Sequence, residues 1–127
     1  MSELMYPFDG VPAVGTTFQV ADEVYWISMP LPISLDHINL YLLEEDDGGW
    51  IVDTGIKAKE RCSHWQTIFE NELKGKSIKG VLITHMHPDH IGQAGWICKK
   101  FRVPLYMTFG EYYTAKTYAK SSAEDLE

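Results

Sequence analysis

The sequence predicts an α/β domain in which several antiparallel strands come first and helices then alternate with strands. Short segments rich in β-branched and aromatic residues occupy the first part of the chain. An apolar stripe at helical spacing follows over residues 58–73, and an apolar strand over residues 78–83 then runs into a histidine-rich segment. This order predicts a sheet that carries helices on one face.

The early strands are predicted over residues 17–21, 24–27 and 38–43. Asp47-Gly48 predicts a hairpin turn after the third strand, because both residue types tolerate a positive φ. The returning strand, residues 50–52, ends at Asp53-Thr54-Gly55. We expect Trp26 and Trp50 to lie in the core.

The first helix is predicted from an apolar stripe that recurs at intervals of three and four residues. Gly75 is expected to end this helix, since helices often end at a left-handed glycine. The stripe consists of Ala58, Cys62, Trp65, Phe69 and Leu73.

A second helix is predicted to be capped by Asp89, with an apolar stripe that extends to Phe101. A strand over residues 103–107 and a helix from Phe109 onward complete the predicted elements. Cys62 and Cys98 lie on the helix stripes and are expected to be core residues rather than metal ligands.

Composition limits the classes of function. The 127 residues suffice for one compact domain, and the net charge of −7 does not favour a nucleic-acid surface, although it leaves such a partner open. No apolar run approaches the roughly 20 residues that span a bilayer, and no secretion signal is apparent at the start. With only two cysteines, the chain is predicted to be a cytoplasmic protein that does not enter a membrane.

Three of the five histidines lie within the segment His85-Met86-His87-Pro88-Asp89-His90. In an extended chain, residues i and i+2 point to the same side, so His85 and His87 can hold one ion together. Pro88 ends the strand, and Asp89 and His90 then follow on a tight turn where they can face a second ion. Imidazole and carboxylate groups suit zinc, iron or manganese.

Other interpretations of this segment are a polar loop that is rich in histidine by chance, or a different class of metalloenzyme. A zincin requires His-Glu-x-x-His, and a zinc deaminase requires His-x-Glu with a later Cys-x-x-Cys; neither pattern occurs. An amidohydrolase barrel also places His-x-His at a strand end, but here several hairpin strands precede it. His37 and His64, the remaining histidines, are expected to be loop and surface residues.

The segment from Thr84 to His90 resembles the His-x-His-x-Asp-His signature of the metallo-β-lactamase superfamily. Residues 39–43 resemble the strand before the family's hairpin, and residues 51–55 resemble its strand that ends in Asp-x-Gly. The three features follow the family's order and spacing and cover nearly the whole chain. The resemblance implies an αββα sandwich with a two-metal hydrolytic site.

The resemblance also implies roles for individual residues. His85 and His87 would hold the first ion, and Asp89 and His90 the second, with zinc expected at both positions and iron or manganese as alternatives. A hydroxide between the ions would attack a carbonyl or phosphoryl centre, and Asp89 would be the catalytic residue that handles the proton. Asp53 would orient a ligand histidine by accepting a hydrogen bond from the N–H of the imidazole ring. Without the resemblance, Asp53 would be predicted to be a turn residue.

The sequence departs from the family pattern after His90. Family members supply a third histidine to the first metal, a bridging aspartate and a last histidine downstream, whereas here no histidine follows and the only later aspartate is Asp125. Residues 1–127 are therefore interpreted as the N-terminal part of one such domain, from which the remainder is absent. The full-length protein is expected to be a hydrolase, and this piece alone is expected to be inactive.

The substrate is predicted to be a small molecule, with a thioester or another small ester or lactone favoured. A ribonuclease of the same superfamily is one alternative. The other is that the chain is an inactive half-domain that self-associates, because half of a sandwich leaves a sheet face or edge bare.

Overall fold

Six strands form one mixed sheet in which the order along the chain is also the order in space. The computed structural model describes residues 3–31, 37–73 and 75–125. The strands are β1 (Phe18–Ala21), β2 (Val24–Pro30), β3 (His37–Glu45), β4 (Gly48–Val52), β5 (Ser77–Leu82) and β6 (Leu105–Tyr106).

The helices lie between and after the later strands, as the predicted order requires. α1 crosses from β4 to β5, and α2 and α3 lie between β5 and β6. Their bounds, with that of the last helix, are α1 (Lys59–Asn71), α2 (Pro88–Ile91), α3 (Ala94–Phe101) and α4 (Phe109–Asp125). None of the helices in the described residues combines the length and the apolar composition that crossing a bilayer requires.

Strand direction changes in the middle of the sheet. β1 to β4 pair antiparallel, whereas β4 pairs parallel with β5 and β5 parallel with β6. Parallel neighbours need a crossover connection, which α1 provides between β4 and β5. The carboxyl ends of β4, β5 and β6 therefore meet at one edge of the sheet.

The core lies between one face of the sheet and helices α1 and α3. Alternate residues of β3 are buried, as expected for a strand with a single covered face. Trp65 is completely buried on α1, and Ile97 is completely buried on α3. The sheet residues of this core include Ile27, Met29, Leu40, Leu42, Ile51 and Val81.

The opposite face of the sheet carries aromatic and apolar side chains that no helix of the described residues buries; we call it the second face. Trp26 and Trp50 lie there and are half-buried, so the prediction that they belong to the core is wrong. Trp26 donates a hydrogen bond from Nε1 to Asn39 Oδ1 at 2.8 Å, and the Trp50 ring contacts the Tyr106 ring with centroids 5.5 Å apart. Side chains alternate between the two faces along a strand, and this alternation places both tryptophans on the face that points away from the helices.

The hairpin turn between β3 and β4 lies one residue earlier than predicted. Glu45 pairs with Gly48, so Asp46 and Asp47 are the turn residues and Gly48 is the first residue of β4. A Cβ atom on Gly48 would lie 2.6 Å from the carbonyl oxygen of Ser77. The glycine therefore permits close contact with β5 rather than a positive φ in the turn.

The second predicted helix is two helices, α2 and α3, and Asp89 does not cap it. His87 occupies the N-cap of α2, and Asp89 lies in the first turn. The chain bends at Gly92-Gln93, where a Cβ on Gly92 would lie 2.7 Å from the Gly55 carbonyl oxygen. The apolar residues keep helical spacing throughout this segment, but contact with the Asp53–Gly55 turn divides the helix in two. Gly75 has the expected positive φ of 85° but lies beyond the end of α1.

Candidate metal centre

The site forms where the adjacent parallel strands β4 and β5 end. Asp53 directly follows β4, and its N–H donates to the Leu82 carbonyl at 2.9 Å. Asp53 has a φ of 61°, a left-handed conformation that Asp and Asn adopt more readily than most residues. This turn directs the carboxylate toward the segment that leaves β5.

The Asp53 carboxylate is buried and accepts three hydrogen bonds. Oδ1 accepts the Thr84 N–H at 2.8 Å, and Oδ2 accepts the Thr84 hydroxyl at 2.7 Å. Oδ2 also lies 2.9 Å from His90 Nδ1. One carboxylate therefore connects the end of β5 to a histidine on α2.

These contacts determine which ring nitrogen carries the proton on two histidines. A carboxylate only accepts, so the Thr84 hydroxyl proton points to Asp53 and Thr84 Oγ1 must accept from His85 Nδ1, 2.9 Å away. His90 Nδ1 likewise donates to Asp53 Oδ2. In both neutral rings Nε2 then keeps its lone pair, which is the form that binds a metal ion.

The other predicted site residues lie beside these two histidines. The His85 ring centroid is 4.7 Å from that of His87 and 4.0 Å from that of His90. Asp89 Oδ2 lies 3.5 Å from His90 Nε2, the ring nitrogen that does not contact Asp53. The structure thus brings together all five residues that the sequence pattern singled out.

The backbone around His90 is held by the turn after β4. The N–H and the hydroxyl of Thr54 both donate to the His90 carbonyl, each at 2.7 Å. The His87 carbonyl accepts the N–H groups of His90 and Ile91, which forms the first turn of α2. The orientation of His90 is therefore fixed through both its main chain and its side chain.

Three residues that support this arrangement were not predicted from the sequence. Thr84 links Asp53 to His85, and Thr54 holds His90. Gln93 is almost completely buried, and it donates its N–H to Thr54 Oγ1 at 3.0 Å and its side-chain amide to the Ile56 and Ala58 carbonyls. Thr54 and Thr84 are sequence neighbours of predicted site residues, and this position could have indicated their roles. Nothing in the sequence around Gln93 indicates its role.

Cys62 and Cys98 are free thiols on α1 and α3. Both are half-buried rather than fully buried; Cys62 Sγ donates to Gln93 Oε1 at 3.3 Å, and Cys98 packs against the core. Burial raises the pKa of the Cys98 thiol. A thiol kept protonated in this way is a poor metal ligand, in agreement with a packing role.

The donor chemistry of the cluster fits a divalent metal ion. Among the described residues, ligand atoms of Asp53, His85 and His90 lie within 4.8 Å of one another. Asp53 already accepts three hydrogen bonds, so it suits orientation of the imidazoles better than direct ligation. Two ligands of a tetrahedral zinc ion lie about 3.4 Å apart, and the 3.5 Å between Asp89 Oδ2 and His90 Nε2 matches this separation.

Comparison with solved structures identifies the fold. The chain superposes with a TM-score of 0.83 on a beta-lactamase domain protein from Burkholderia ambifaria, at 47% sequence identity, and the match covers 95% of this chain and 39% of that one. The agreement confirms the predicted metallo-β-lactamase fold. It also shows that the 127 residues correspond to only part of that protein's length.

Curated relatives have different named activities. Exodeoxyribonuclease YycJ of Bacillus anthracis is 30% identical over 69 residues, which is 54% of this chain and 25% of that protein. Hydroxyacylglutathione hydrolase of Hahella chejuensis is 33% identical over 79 residues, which is 61% of this chain and 28% of that protein. The chain thus spans less than a third of each of these relatives, and their names do not agree on a substrate.

Residues 33–125 match the metallo-beta-lactamase superfamily, whose members bind metal ions, usually zinc. This match covers most of the chain and includes the whole histidine-rich segment. With the Asp53-centred geometry and the superposition, it establishes that the chain belongs to the metallo-beta-lactamase superfamily.

Proposed function

We propose that the protein to which this chain belongs is a metal-dependent hydrolase whose metal ligands include His85, His87, Asp89 and His90. The observation that carries the proposal is the hydrogen bonding of Asp53, which leaves Nε2 of two neighbouring imidazoles available as ligands. Membership of a superfamily that includes hydrolases supports the same conclusion.

We assign His85 and His87 to one ion and Asp89 and His90 to a second, with zinc as the preferred metal and iron or manganese as alternatives. The His-x-His spacing supports the first pair, and the 3.5 Å between Asp89 Oδ2 and His90 Nε2 supports the second. When bound, the metal supplies Lewis acidity, which favours ionisation of water and stabilises negative charge on the attacked group.

The chain's own residues hold these ligands and move the proton. Asp53 keeps His90 in one tautomer directly and His85 through Thr84, so neither imidazole has to reorient when the metal binds. Asp89 is half-buried, and its carboxylate is the group we assign to carry the proton of the attacking water toward the leaving group.

The substrate that we propose is a thioester or another small ester or lactone. The net charge of −7 disfavours a long polyanionic substrate, and a relative named hydroxyacylglutathione hydrolase supports acyl transfer to water. A nuclease is the second candidate, because another relative is named an exodeoxyribonuclease.

We propose that residues 1–127 are the N-terminal part of the catalytic domain and that the remaining metal ligands lie in further sequence. The chain spans 39% of the Burkholderia ambifaria protein, which supports this division. On this proposal the 127 residues bind metal without turning over substrate. The two free thiols support a cytoplasmic location.

The test of the proposed metal site is the affinity of the purified chain for Zn²⁺, measured by competition with a chromophoric chelator, with metal content checked by elemental mass spectrometry. We expect His87→Ala and Asp89→Ala to weaken binding at least about tenfold, because each removes a ligand. His37→Ala is the matched control, since no hydrogen bond or ring contact among the described residues joins His37, the first residue of β3, to this cluster. Equal affinity in all four proteins would contradict the proposal.

The reaction itself is tested in the full-length protein on a panel that contains an acylglutathione thioester, a lactone, a β-lactam and single-stranded DNA and RNA. We expect turnover of an acyl substrate that requires added metal and is lost in Asp89→Ala. Cleavage of DNA or RNA without turnover of any acyl substrate would contradict the acyl-substrate proposal and favour the nuclease alternative. Undiminished turnover in the metal-loaded Asp89→Ala protein would refute the assignment of Asp89.

A further inference from the structure

Glu111, on the first turn of α4, makes a contact with the metal-binding segment. Its Oε2 accepts a hydrogen bond from the Met86 N–H at 2.9 Å, across 25 positions of sequence. Met86 is the residue between His85 and His87, so the bonded peptide group belongs to the short piece of chain that carries both imidazoles.

The sequence around Glu111 by itself suggests a purely local role. Thr108 and Glu111 have the spacing of a capping box, in which the glutamate side chain would bind the N–H of the threonine at the start of the same helix. The Tyr112 N–H donates to the Thr108 carbonyl at 3.0 Å, so α4 does begin there. In the structure, however, Oε2 of Glu111 is directed to the Met86 N–H on another segment.

The segment from Thr84 to His90 is held by hydrogen bonds at its two ends and in its middle. Asp53 holds Thr84 at the start, and Thr54 holds the His90 carbonyl at the end. Glu111 provides the contact in the middle, where the chain belongs to neither a helix nor a strand. A hydrogen bond from a backbone N–H to a carboxylate is stronger than one between neutral groups.

We propose that Glu111 is a positioning residue for the metal centre, which holds the peptide between His85 and His87 so that the two imidazoles stay aligned for one ion. This inference rests on the proposed metal ligands, and it adds α4 to the elements that determine metal affinity. Without the Glu111 contact, the segment can rotate about Met86, and the two rings, whose centroids lie 4.7 Å apart, lose their mutual contact.

The experiment compares five forms of the 127-residue chain: wild type, Glu111→Ala, Glu111→Gln, Thr108→Ala and His85→Ala. The rate of amide hydrogen exchange at Met86, monitored by NMR in the absence of metal, reports the contact directly. Co²⁺ affinity, from chelator competition and the visible spectrum, reports its effect on the ligands. Thermal unfolding and circular dichroism report the stability of α4. Thr108→Ala is expected to weaken this helix, because alanine is a poor residue at the position before the first helical turn, and it leaves the Glu111 carboxylate in place.

We expect Glu111→Ala to accelerate Met86 exchange by roughly tenfold, since it removes a charge-assisted hydrogen bond. We expect the same change to weaken Co²⁺ binding by about 10- to 100-fold, the usual effect of losing a group that supports metal ligands. Glu111→Gln keeps an accepting oxygen and is expected to restore most of both properties. Thr108→Ala is expected to change helix stability but neither Met86 exchange nor Co²⁺ affinity.

Similar effects of Glu111→Ala and Thr108→Ala would show that Glu111 acts only on the helix, and would overturn the inference. Faster Met86 exchange without weaker Co²⁺ binding would overturn it as well. The His85→Ala variant distinguishes failure of the Glu111 inference from failure of the proposed metal site. If His85→Ala leaves the Co²⁺ affinity unchanged, the metal assignment is wrong whatever the effect of Glu111→Ala. A wild-type chain that binds no Co²⁺ would count against both.

Discussion

Asp53 is the residue on which the geometry of the site depends most. It receives three hydrogen bonds, two from Thr84 and one from His90, in a position almost closed to solvent. Its left-handed φ is needed to turn the carboxylate away from the strand direction. The same side chain thus directs two histidines that we assign to different metal ions.

Asp53→Asn tests this role at the scale of a single residue. Asn tolerates the left-handed backbone as well as Asp, but its amide presents a donor where the carboxylate had only acceptors. The amide nitrogen is expected at the Oδ2 position, because the Thr84 N–H at Oδ1 can only donate, whereas the Thr84 hydroxyl and His90 Nδ1 can each become acceptors. His90 is then released to change its tautomer. We expect Zn²⁺ affinity to fall by about 10- to 100-fold in a chain that stays folded.

The control for this change is Asp22→Asn, which alters the same charge in an exposed turn between β1 and β2. Chelator competition measures the affinity, and ¹⁵N chemical shifts of the imidazole rings measure the tautomer. An Asp53→Asn protein with wild-type affinity and unchanged His90 shifts would show that the carboxylate does not determine the ligand form.

Between elements, the most important contact is that of the turn after β4 with the junction of α2 and α3. Gln93 closes this junction through its bonds to Thr54, Ile56, Ala58 and Cys62. Gly92 lies at the point of closest approach. A Cβ there would lie 2.4 Å from Lys57 N and 2.6 Å from the Pro88 carbonyl oxygen, and both are backbone atoms that cannot move aside alone.

Gly92→Ala is therefore expected to destabilise the chain and to displace α2 with the metal ligands that we propose on it. The cost expected for forcing a methyl group into a packed site is about 1–3 kcal/mol, or more where backbone must shift. Gly95→Ala is the matched control, because a Cβ on Gly95 meets nothing within 4 Å and the residue lies in α3. That change is expected to stabilise by roughly 0.5–1 kcal/mol through helix propensity.

Chemical denaturation of both variants measures the two free energies of unfolding. Opposite signs are the expected result. A Gly92→Ala protein as stable as the wild type would mean that the junction can open without cost, and that the bend at Gly92 is not imposed by the Asp53–Gly55 turn.

At the scale of the whole molecule, the two faces of the sheet differ. One face is covered by α1 and α3, while on the second face Leu82 and Tyr106 remain 42% and 49% exposed. Exposed apolar surface on a sheet favours association with another apolar surface. We expect the isolated 127 residues to self-associate through this second face.

Leu82→Lys tests the expectation by placing a charge on the second face. Tyr118→Ser on α4 is the control, which removes a still more exposed aromatic group from a helix. Sedimentation velocity over a wide concentration range should show association in the wild type and in Tyr118→Ser, and a shift to monomer in Leu82→Lys. A wild-type chain that is monomeric throughout would contradict the expectation.

Local sequence determined the element types and the composition of the site. Strand alternation, the apolar stripe of α1 and the clustered His85, His87, Asp89 and His90 are short-range patterns, and each can be interpreted without knowing what lies across the fold. The resemblance to the superfamily added Asp53, whose distance from the histidines in the chain gives no hint of contact.

Tertiary structure decided what depends on the approach of distant segments. Gly48 belongs to a strand because β5 lies against it, and the second predicted helix divides in two because the Asp53–Gly55 turn occupies the space beside Gly92. Thr54, Thr84 and Glu111 gain their roles only when the ends of β4 and β5 and the start of α4 meet. Residue types and their periodicity follow from local chemistry, whereas hydrogen bonds across 25 to 37 positions depend on how the sheet aligns its strands.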